Sequence, residues 1–585
     1  MHKRLLGILA SIAVIVAACG GAVTSTAPSA PAGSSSASQS TSSGAPASGA
    51  PAASGDLAAP ADQILRLSLG AEDPASLDPS KASTSTDIGV LHALDRGLIY
   101  FDKDQKPVPA LATEMPKISA DLLTYTFTLR DAKYSNNDPI VAGDIVYAWK
   151  RLSDPRTGST YGHSFDVVAG ADALFSLPKT ATDAQIDAAL AKFDVAAPDD
   201  HTFVVKLAHP TSYFLDLVAL WGADPIQEKW VKTPNFTEAA NYVSSGPFMM
   251  KSWTHQAELV LVPNPNWYGQ KPTIQEVHFK IGGDPAADQA SFEAGELDML
   301  AATPGDVPRI KADAKLGPLV VTQPTLITDY WGFGTAKGPT ANVHLRRALS
   351  MAIDKDTMLA TVSGGQGVVA GSPIPPGMPG HQADIGLKFD VAAAKTELAQ
   401  ALTDLGTKDT NGDGKIDAAD LGDLSFGFNT NAGHEIPSAY MQNQWRTNLG
   451  IHSVLSGETF DQFLVDRPAG KFSLARNAWG ADYPHPDNFL RVLFATGSGN
   501  NDEQFSDPAY DALLAKAGNE PDFDKSIAIY NQAQELLVQA APAVFTRWRV
   551  SNYEVRPWVT GYLGTGQDSN VIGDLFFETI SILKH

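Results

Sequence analysis

Short segments in which apolar and polar residues alternate recur along the chain from residue 63 onwards. The first covers residues 63–69, and three others cover residues 123–129, 202–207 and 258–262. Because successive side chains of a strand point to opposite faces, this pattern predicts half-buried β-strands.

Other segments have the spacing of an amphipathic helix. Residues 345–354 place Leu345, Leu349 and Ala352 on one helical face, and residues 527–538 repeat the pattern. Strands and helices are mixed without a repeating unit. The expected fold class is therefore α/β (α+β mixed), divided into lobes.

The N-terminus has the features of a secretory signal. Lys3 and Arg4 precede an apolar run over residues 5–18, which is shorter than the roughly 20 residues that span a bilayer. The sequence Val-Ala-Ala-Cys at residues 16–19 resembles a bacterial lipobox. We therefore expect a signal peptide over residues 1–18 and a lipid on Cys19; the alternative is an incidental buried cysteine.

A segment of low complexity follows the cysteine. Residues 20–57 are nearly all Gly, Ala, Ser, Thr and Pro, a composition that buries too little apolar surface to fold. We expect residues 19–62 to form a lipidated, disordered tether. The protein is then anchored by lipid to the cell membrane on its extracytoplasmic face, periplasmic or at the cell surface.

Length and charge narrow the classes of function. A chain of 585 residues is long enough for two or three domains. Its formal charge of -22 disfavours a general affinity for nucleic acid. Cys19 is the only cysteine, which excludes internal disulfides and zinc sites built on several thiolates.

Signatures of catalysis are scarce. The sequence lacks a His-Glu-x-x-His motif, a Walker phosphate loop and a Gly-x-Ser-x-Gly elbow. Residues 365–370 imitate a dinucleotide fingerprint, but the prolines that follow exclude a helix, so we interpret them as a loop. We expect no enzyme; a secreted hydrolase with a carboxylate pair is the alternative.

One acidic loop has the spacing of an EF-hand calcium site. Its oxygen ligands would fall at positions 1, 3, 5, 7, 9 and 12, with Gly414 at the sharp turn. The residues at those positions are Asp409, Asn411, Asp413, Lys415 through its carbonyl, Asp417 and Asp420. A structural Ca²⁺ is one interpretation, and a loop closed by Asx turns is the other.

A second cluster follows a strand-like segment at residue 472. Arg476, Trp479, Gly480 and Asp482 crowd a cation, an aromatic ring, a glycine and a carboxylate into seven residues. Such groups can hold a zwitterion, with Asp482 facing an ammonium and Arg476 a carboxylate. The alternative is an internal Arg476–Asp482 ion pair with Trp479 in the core.

Short motifs in a fixed order resemble a known family. They include Ser-Leu-Asp-Pro at residues 76–79, Pro-Ala-Leu-Ala at 109–112, Ser-Gly-Pro-Phe at 245–248, Asn-Pro-Asn-Trp-Tyr at 264–268, Trp-Gly-Ala-Asp-Tyr at 479–483 and Arg-Pro-Trp-Val-Thr-Gly-Tyr at 556–562. From about Ser76 onwards the chain resembles the family 5 extracellular solute-binding proteins of ABC transporters, and most of all the oligopeptide-binding proteins.

The resemblance implies a two-lobed fold of the periplasmic-binding-protein type with a hinge. The first lobe would cover residues 63–335, with an extra subdomain inserted at about 108–232, and would be completed by residues 545–585. The second lobe would cover residues 336–544. The implied function is capture of oligopeptides for an ABC importer; ligands known elsewhere in the family (dipeptides, oligosaccharides, nickel, haem) remain alternatives.

The resemblance also implies site residues and partners. Asp482 would receive the peptide's α-ammonium and Arg476 a ligand carboxylate, while backbone at Ser85, Trp479 and Gly480 would pair with the peptide main chain. Tyr330 and Trp331 would approach the ligand. The implied partners are the oligopeptide and the transmembrane permease subunits; we expect a monomer that needs no cofactor.

Overall fold

The computed structural model of the protein describes residues 55–410, 412–430, 433–568 and 571–585, which belong to one compact unit. The predicted signal peptide, Cys19 and the tether up to residue 54 lie outside the described residues. Among the helices in the described part, none is long and apolar enough to cross a membrane.

Nineteen strands are present in the described residues. In chain order they are β1 Ile64–Ser68, β2 Ile99–Phe101, β3 Pro107–Pro109, β4 Lys117–Ile118, β5 Thr124–Thr128, β6 Val195–Asp199, β7 Thr202–Lys206, β8 Phe248–Thr254, β9 Glu258–Pro263, β10 Glu276–Lys280, β11 Met299–Ala301, β12 Val320–Phe333, β13 Val368–Val369, β14 Leu424–Asn429, β15 Ser453–Glu458, β16 Leu474–Gly480, β17 Ala543–Val555, β18 Val559–Thr560 and β19 Ser581–Ile582.

Sixteen α-helices are present in the same residues, and short 3-10 helices such as Ala418–Leu421 connect some of the elements. In chain order they are α1 Ser85–Leu94, α2 Ala142–Ser153, α3 Ala171–Phe175, α4 Asp183–Leu190, α5 Phe214–Val218, α6 Glu228–Val231, α7 Pro285–Ala294, α8 Val307–Ala312, α9 Val343–Met351, α10 Lys355–Val362, α11 Val391–Asp404, α12 Glu435–Leu449, α13 Phe460–Asp466, α14 Asp487–Phe494, α15 Pro508–Gly518 and α16 Phe523–Ala540.

The elements predicted from hydrophobic periodicity are confirmed. The four alternating segments form β1, β5, β7 and β9, and the two amphipathic segments form α9 and α16. In β1 the alternation has its expected cause, because Leu65 and Leu67 are fully buried whereas Arg66 between them is half-buried.

Two four-stranded sheets build the first lobe. One has the order β1-β10-β9-β8, and the other, β4-β5-β7-β6, lies inside the segment predicted as an inserted subdomain. Both contribute to one continuous hydrophobic core. Inside the inserted segment Trp149 of α2 stacks on Phe165 with ring centroids 4.0 Å apart. Arg151 of the same helix pairs with Asp78 (2.6 Å), which lies outside the segment, and this ion pair ties the segment to the rest of the lobe.

A seven-stranded sheet with helices on both faces forms the second lobe and continues into the first lobe through β11 and the adjoining ends of β12 and β17. Its order is β11-β17-β12-β16-β14-β15, with β13 paired to β17. Neighbouring residues of β12 point to opposite faces: Tyr330 packs in a core with α14, α15 and α16, and Trp331 in a core with α9, α11 and α12. The sheet is therefore the middle layer of three.

The strands β12 and β17 connect the two lobes. Val321 and Tyr553 pack against the first-lobe core, whereas Leu326 and Trp548, farther along the same strands, belong to a second-lobe core. The β12–β17 register shifts between Pro324 and Thr328 at the crossing. A pair of crossing strands with an interrupted ladder is suited to act as a hinge.

Two predicted boundaries need correction. The cores change between residues 321 and 326 in β12 and between 548 and 553 in β17, so residues 335 and 545 lie inside the second lobe. The folded body also begins before residue 63. Leu57 bridges to Leu583, and Ala58 N donates to Ile582 O (2.9 Å), so the C-terminal strand orders the last residues assigned to the tether.

Candidate functional site

A cleft of about 460 Å³ lies where the lobes face each other. Ser85 and Tyr161 line it from the first lobe, and Gly480 and Asp482 line it from the second. Three of the predicted ligand-binding residues, Ser85, Gly480 and Asp482, are therefore brought together although almost 400 residues separate the first from the others. The lining of the cleft also includes three acidic residues, Asp95, Asp224 and Asp568, and two basic residues, Arg96 and His92.

The turn after β16 holds Asp482 in place through Asn488. The amide Nδ2 of Asn488 donates to Asp482 Oδ2 (3.1 Å), and the backbone N–H of Asp482 donates to Asn488 Oδ1 (3.1 Å). The indole Nε1 of Trp479 donates to the same Oδ1 (2.8 Å). Asn488 thus fixes the orientation of both neighbouring side chains.

The Asp482 carboxylate is open to the solvent of the cleft and forms no ion pair with a described residue. The walls of the cleft nevertheless limit its hydration. This desolvation raises the pKa of Asp482, while the hydrogen bond from Asn488 opposes the rise. A carboxylate in this position gains more from a ligand cation than a fully hydrated surface carboxylate does.

On the opposite wall, Ser85 is the exposed first residue of α1. A capping box defines this helix start: Asp87 N donates to Thr84 Oγ1, and Thr84 N donates to Asp87 Oδ2, both at 3.2 Å. The Asp87 carboxylate also accepts from Ala75 N (2.7 Å). The buried Asp87 therefore anchors the segment that presents Ser85 to the cleft.

One edge of β16 is open beside Asp482. Along its full length β16 pairs with β12, but on the other edge β14 reaches only Leu474 and Ala475. The backbone from Arg476 to Gly480 therefore has no strand partner on that edge among the described residues. Gly480 is exposed there and has no side chain to obstruct an approaching main chain.

A second cavity of about 330 Å³ lies along the same pair of strands. Arg476 lines it together with Trp331, Asp329, His434 and two further arginines. Arg476 Nη2 lies 3.6 Å from Asp329 Oδ1. The alternative of an internal Arg476–Asp482 pair is therefore not what the structure has: the two residues line different cavities.

The predicted aromatic residues differ in where they lie. Trp331 lines the second cavity, and its buried indole Nε1 has no hydrogen-bond acceptor among the described residues. Trp479 is half-buried and packs against a second-lobe core. Tyr330 is only 1% exposed and lines neither cavity, because it points to the opposite face of the sheet from Trp331.

The acidic loop at residues 409–420 is closed by hydrogen bonds from its own backbone. Asp409 accepts from Gly412 N (2.5 Å) and Gly414 N (2.8 Å), and Asp420 Oδ1 accepts from Thr410 N (2.6 Å). Gly414 has the left-handed φ of 80° that the sharp turn requires. These contacts match the Asx-turn alternative.

Calcium binding in this loop stays a prediction. Asn411 lies outside the described residues. Among those described, no group of three or more acidic, histidine or cysteine side chains is arranged to hold a metal. Asp413 accepts a hydrogen bond from Lys415 N, and Asp417 accepts one from Ala419 N, so both also form Asx-type turns.

Sequence reasoning missed four residues that shape the two cavities: Asn488, Asp329, Arg547 and Arg549. Asn488 carries no signal beyond its proximity to Asp482. The two arginines do carry one, because charged residues at positions i and i+2 of a strand share one face and so indicate a polar surface on that face. Asp329 is the register partner of Arg547 across β12 and β17.

A model of the family described as bacterial extracellular solute-binding proteins, family 5 (middle), matches residues 106–501. The chain belongs to this family. Its members are solute-binding proteins, and the two-lobed fold is the one expected from the sequence motifs.

Relatives of this family 5 protein cover nearly its full length. The periplasmic murein peptide-binding protein MppA of Escherichia coli K12 is 31% identical over 88% of this chain and 92% of its own. The solved unliganded open form of MppA is 29% identical, covers 91% of this chain and 99% of its own, and has a TM-score of 0.78.

A peptide complex gives a lower structural similarity. OppA of Haemophilus influenzae, solved with the peptide RPPGFSPFR, is 27% identical, covers 89% of this chain and 99% of its own, and has a TM-score of 0.63. Coverage and identity are nearly equal in the two comparisons.

Proposed function

We propose that this protein captures oligopeptides by their free α-amine and delivers them to an ABC importer. The observation that carries the proposal is the Asp482 carboxylate, which faces the cleft without a cationic partner among the described residues, directly after the open edge of β16. The Asp482 carboxylate fits a ligand ammonium, and the open edge of β16 fits an extended main chain.

The open edge supports recognition that does not depend on side chains. A peptide added beside residues 476–480 would form main-chain hydrogen bonds as an extra strand, while Asp482 binds its first nitrogen. Ser85 and the start of α1 would complete the site from the other lobe. The relatives fit this proposal, since MppA is named for a murein peptide and the OppA structure holds a nonapeptide.

Closure of the lobes would convert binding into a signal for the permease. The ligand can shift the equilibrium only through its higher affinity for the closed form, in which both walls contact it. The crossing strands β12 and β17 are the connection around which the lobes would move. Asp482 and Gly480 are both exposed, so a ligand can reach them.

A lipid anchor would keep the protein close to its importer. The support for this part of the proposal is the sequence at residues 16–19 and the low-complexity segment that follows. Palmitate labelling of the wild-type chain and of Cys19→Ala tests it. Labelling that persists in the variant, or is missing from both, contradicts the anchor.

The function itself is tested by calorimetric titration with a mixture of short peptides and with its N-acetylated counterpart. We expect binding of the free-amine mixture and a large loss with the acetylated one, because acetylation removes the charge that Asp482 binds. Equal binding of the two mixtures would contradict recognition through the amine. Binding of neither would indicate a non-peptide ligand, and turnover of peptides or glycans would indicate a hydrolase.

A further inference from the structure

The second cavity holds more positive than negative charge. Arg476, Arg547 and Arg549 line it, and Asp329 is the one carboxylate among its described lining residues. An arginine stays protonated at all physiological pH values. The cluster therefore retains two positive charges after Asp329 has neutralised one of the three guanidiniums.

The three arginines are not equally paired. Arg547 Nη2 donates to Asp329 Oδ2 and Arg549 Nη2 to Oδ1, both at 2.6 Å. Arg476 approaches only to 3.6 Å and donates no hydrogen bond to a described residue. Because both carboxylate oxygens are already bound by the other two, Asp329 has little capacity left for Arg476.

Trp331 and His434 also contribute to the polar lining of the cavity. The buried Nε1–H of Trp331 has no acceptor among the described residues. Burial lowers the pKa of Arg476 to about 10 although Asp329 opposes the effect, and burial with the nearby Arg476 lowers the pKa of His434 to about 4. A neutral His434 adds no positive charge, but the cluster disfavours any further cation.

A purely structural network would be expected to balance its charges, since an unpaired, partly buried cation destabilises the fold. Here the arginine side chains remain 16–36% exposed to an open cavity, so a ligand can reach them. Planar guanidiniums with paired N–H donors match carboxylate oxygens, and indole N–H is a further donor.

The distance between the arginine cluster and Asp482 determines which end of a bound peptide would reach the second cavity. Arg476 and Gly480 lie on the same face of β16, four residues and therefore about 13 Å apart. A peptide whose amine is held at Asp482 and which follows this edge would bring its far end to the arginines after roughly four to six residues.

We propose that Arg547 and Arg549, together with Arg476, make this protein selective for peptides whose C-terminal end carries two negative charges, such as a terminal Glu or Asp. The terminal carboxylate and the side-chain carboxylate would neutralise the two charges that Asp329 leaves. This inference rests on the proposed capture of peptides, and it adds the substrate class.

The test compares free-amine peptides of four to six residues that are alanine except for a last residue of Glu or Gln. Calorimetry on the wild-type protein should give a dissociation constant about tenfold or more lower for the Glu peptide of the length that fits. In Arg549→Gln, Asp329 keeps Arg547 as its partner, so the Glu peptide should lose several-fold more affinity than the Gln peptide and the ratio should fall accordingly. Arg446→Gln, an exposed arginine on α12, is the matched control and should keep the full ratio.

A second readout does not depend on a variant that folds. With wild-type protein, raising the ionic strength should weaken the Glu peptide more than the Gln peptide, because the extra charge pair is screened. Equal affinities for the two peptides, or an equal loss of both in Arg549→Gln, would overturn the selectivity and leave peptide capture intact. Failure of every free-amine peptide to bind would overturn the proposed function as well.

Discussion

Asp482→Asn removes one negative charge and little else. The asparagine Oδ1 can still accept from Asn488 Nδ2, and the backbone hydrogen bond of residue 482 to Asn488 does not involve the side chain. Trp479 keeps its contact with Asn488. The variant is therefore expected to fold and to keep the shape of the cleft.

The loss of affinity follows from the environment of the carboxylate. Two opposite charges 4 Å apart at a protein surface attract each other by about 4 kcal/mol, and part of this offsets the dehydration of the carboxylate on closure. Truncating one partner of such a pair at an interface costs about 2–5 kcal/mol. We expect a rise in dissociation constant of roughly 30- to 5,000-fold for a free-amine peptide.

Calorimetry on wild-type protein and Asp482→Asn, each with a free-amine peptide and its N-acetylated form, measures this loss. The acetylated peptide has no ammonium, so the substitution should change its affinity little. Asp384→Asn, at a carboxylate that is 93% exposed on the surface, is the matched control and should bind as wild type does. A free-amine peptide that binds Asp482→Asn as tightly as wild type would refute the role of Asp482.

Three further predictions concern pH and calcium. Because the pKa of Asp482 is raised above its ordinary 3.8, the affinity for free-amine peptides should begin to fall at a higher pH than 3.8 when the solution is acidified, and calorimetry across pH should show no such step in Asp482→Asn. Burial, reinforced by Asp502, raises the pKa of Glu503 to about 8, so the folded state keeps a proton that the unfolded state loses above pH 4.5. The free energy of unfolding should therefore fall as pH rises from 4.5 to 8, by at most about 1.4 kcal/mol per pH unit from this group, and urea unfolding of Glu503→Gln should show a smaller fall; an identical pH profile would contradict the assignment. If the loop at residues 409–420 binds calcium, millimolar Ca²⁺ should raise the melting temperature of wild type and not of Asp413→Ala, whereas no shift in wild type leaves the Asx-turn interpretation.

Local patterns were sufficient for the elements but not for the boundaries between lobes. The alternation in β1 and the apolar face of α9 each depend on which residues of a short segment are buried. Both patterns are visible in the local sequence, so both elements could be predicted. The change of core within β12 and β17 could not, because apolar residues occur in both halves of each strand and only the core that they contact differs. The contact of Leu57 with Leu583 is likewise invisible in a low-complexity segment.

The same limit applies to the site. Arg476 and Asp482 are close in sequence, and their residue types indicated a zwitterion site, but not that they line separate cavities. Asp329 and Arg547 are 218 residues apart and become neighbours only through the register of β12 with β17. Tyr330 and Trp331 were predicted as a pair, yet adjacent residues of a strand face opposite sides, and Trp331 alone reaches a cavity.

In the proposed complex the peptide is held with its amine at Asp482 and its main chain along the open edge of β16. A crystal structure of the protein with a bound free-amine peptide tests it most directly. We predict the peptide nitrogen at about 3 Å from the Asp482 carboxylate and main-chain hydrogen bonds to residues 476–480. A peptide bound elsewhere, or one in the cleft with its amine away from Asp482, would contradict the account.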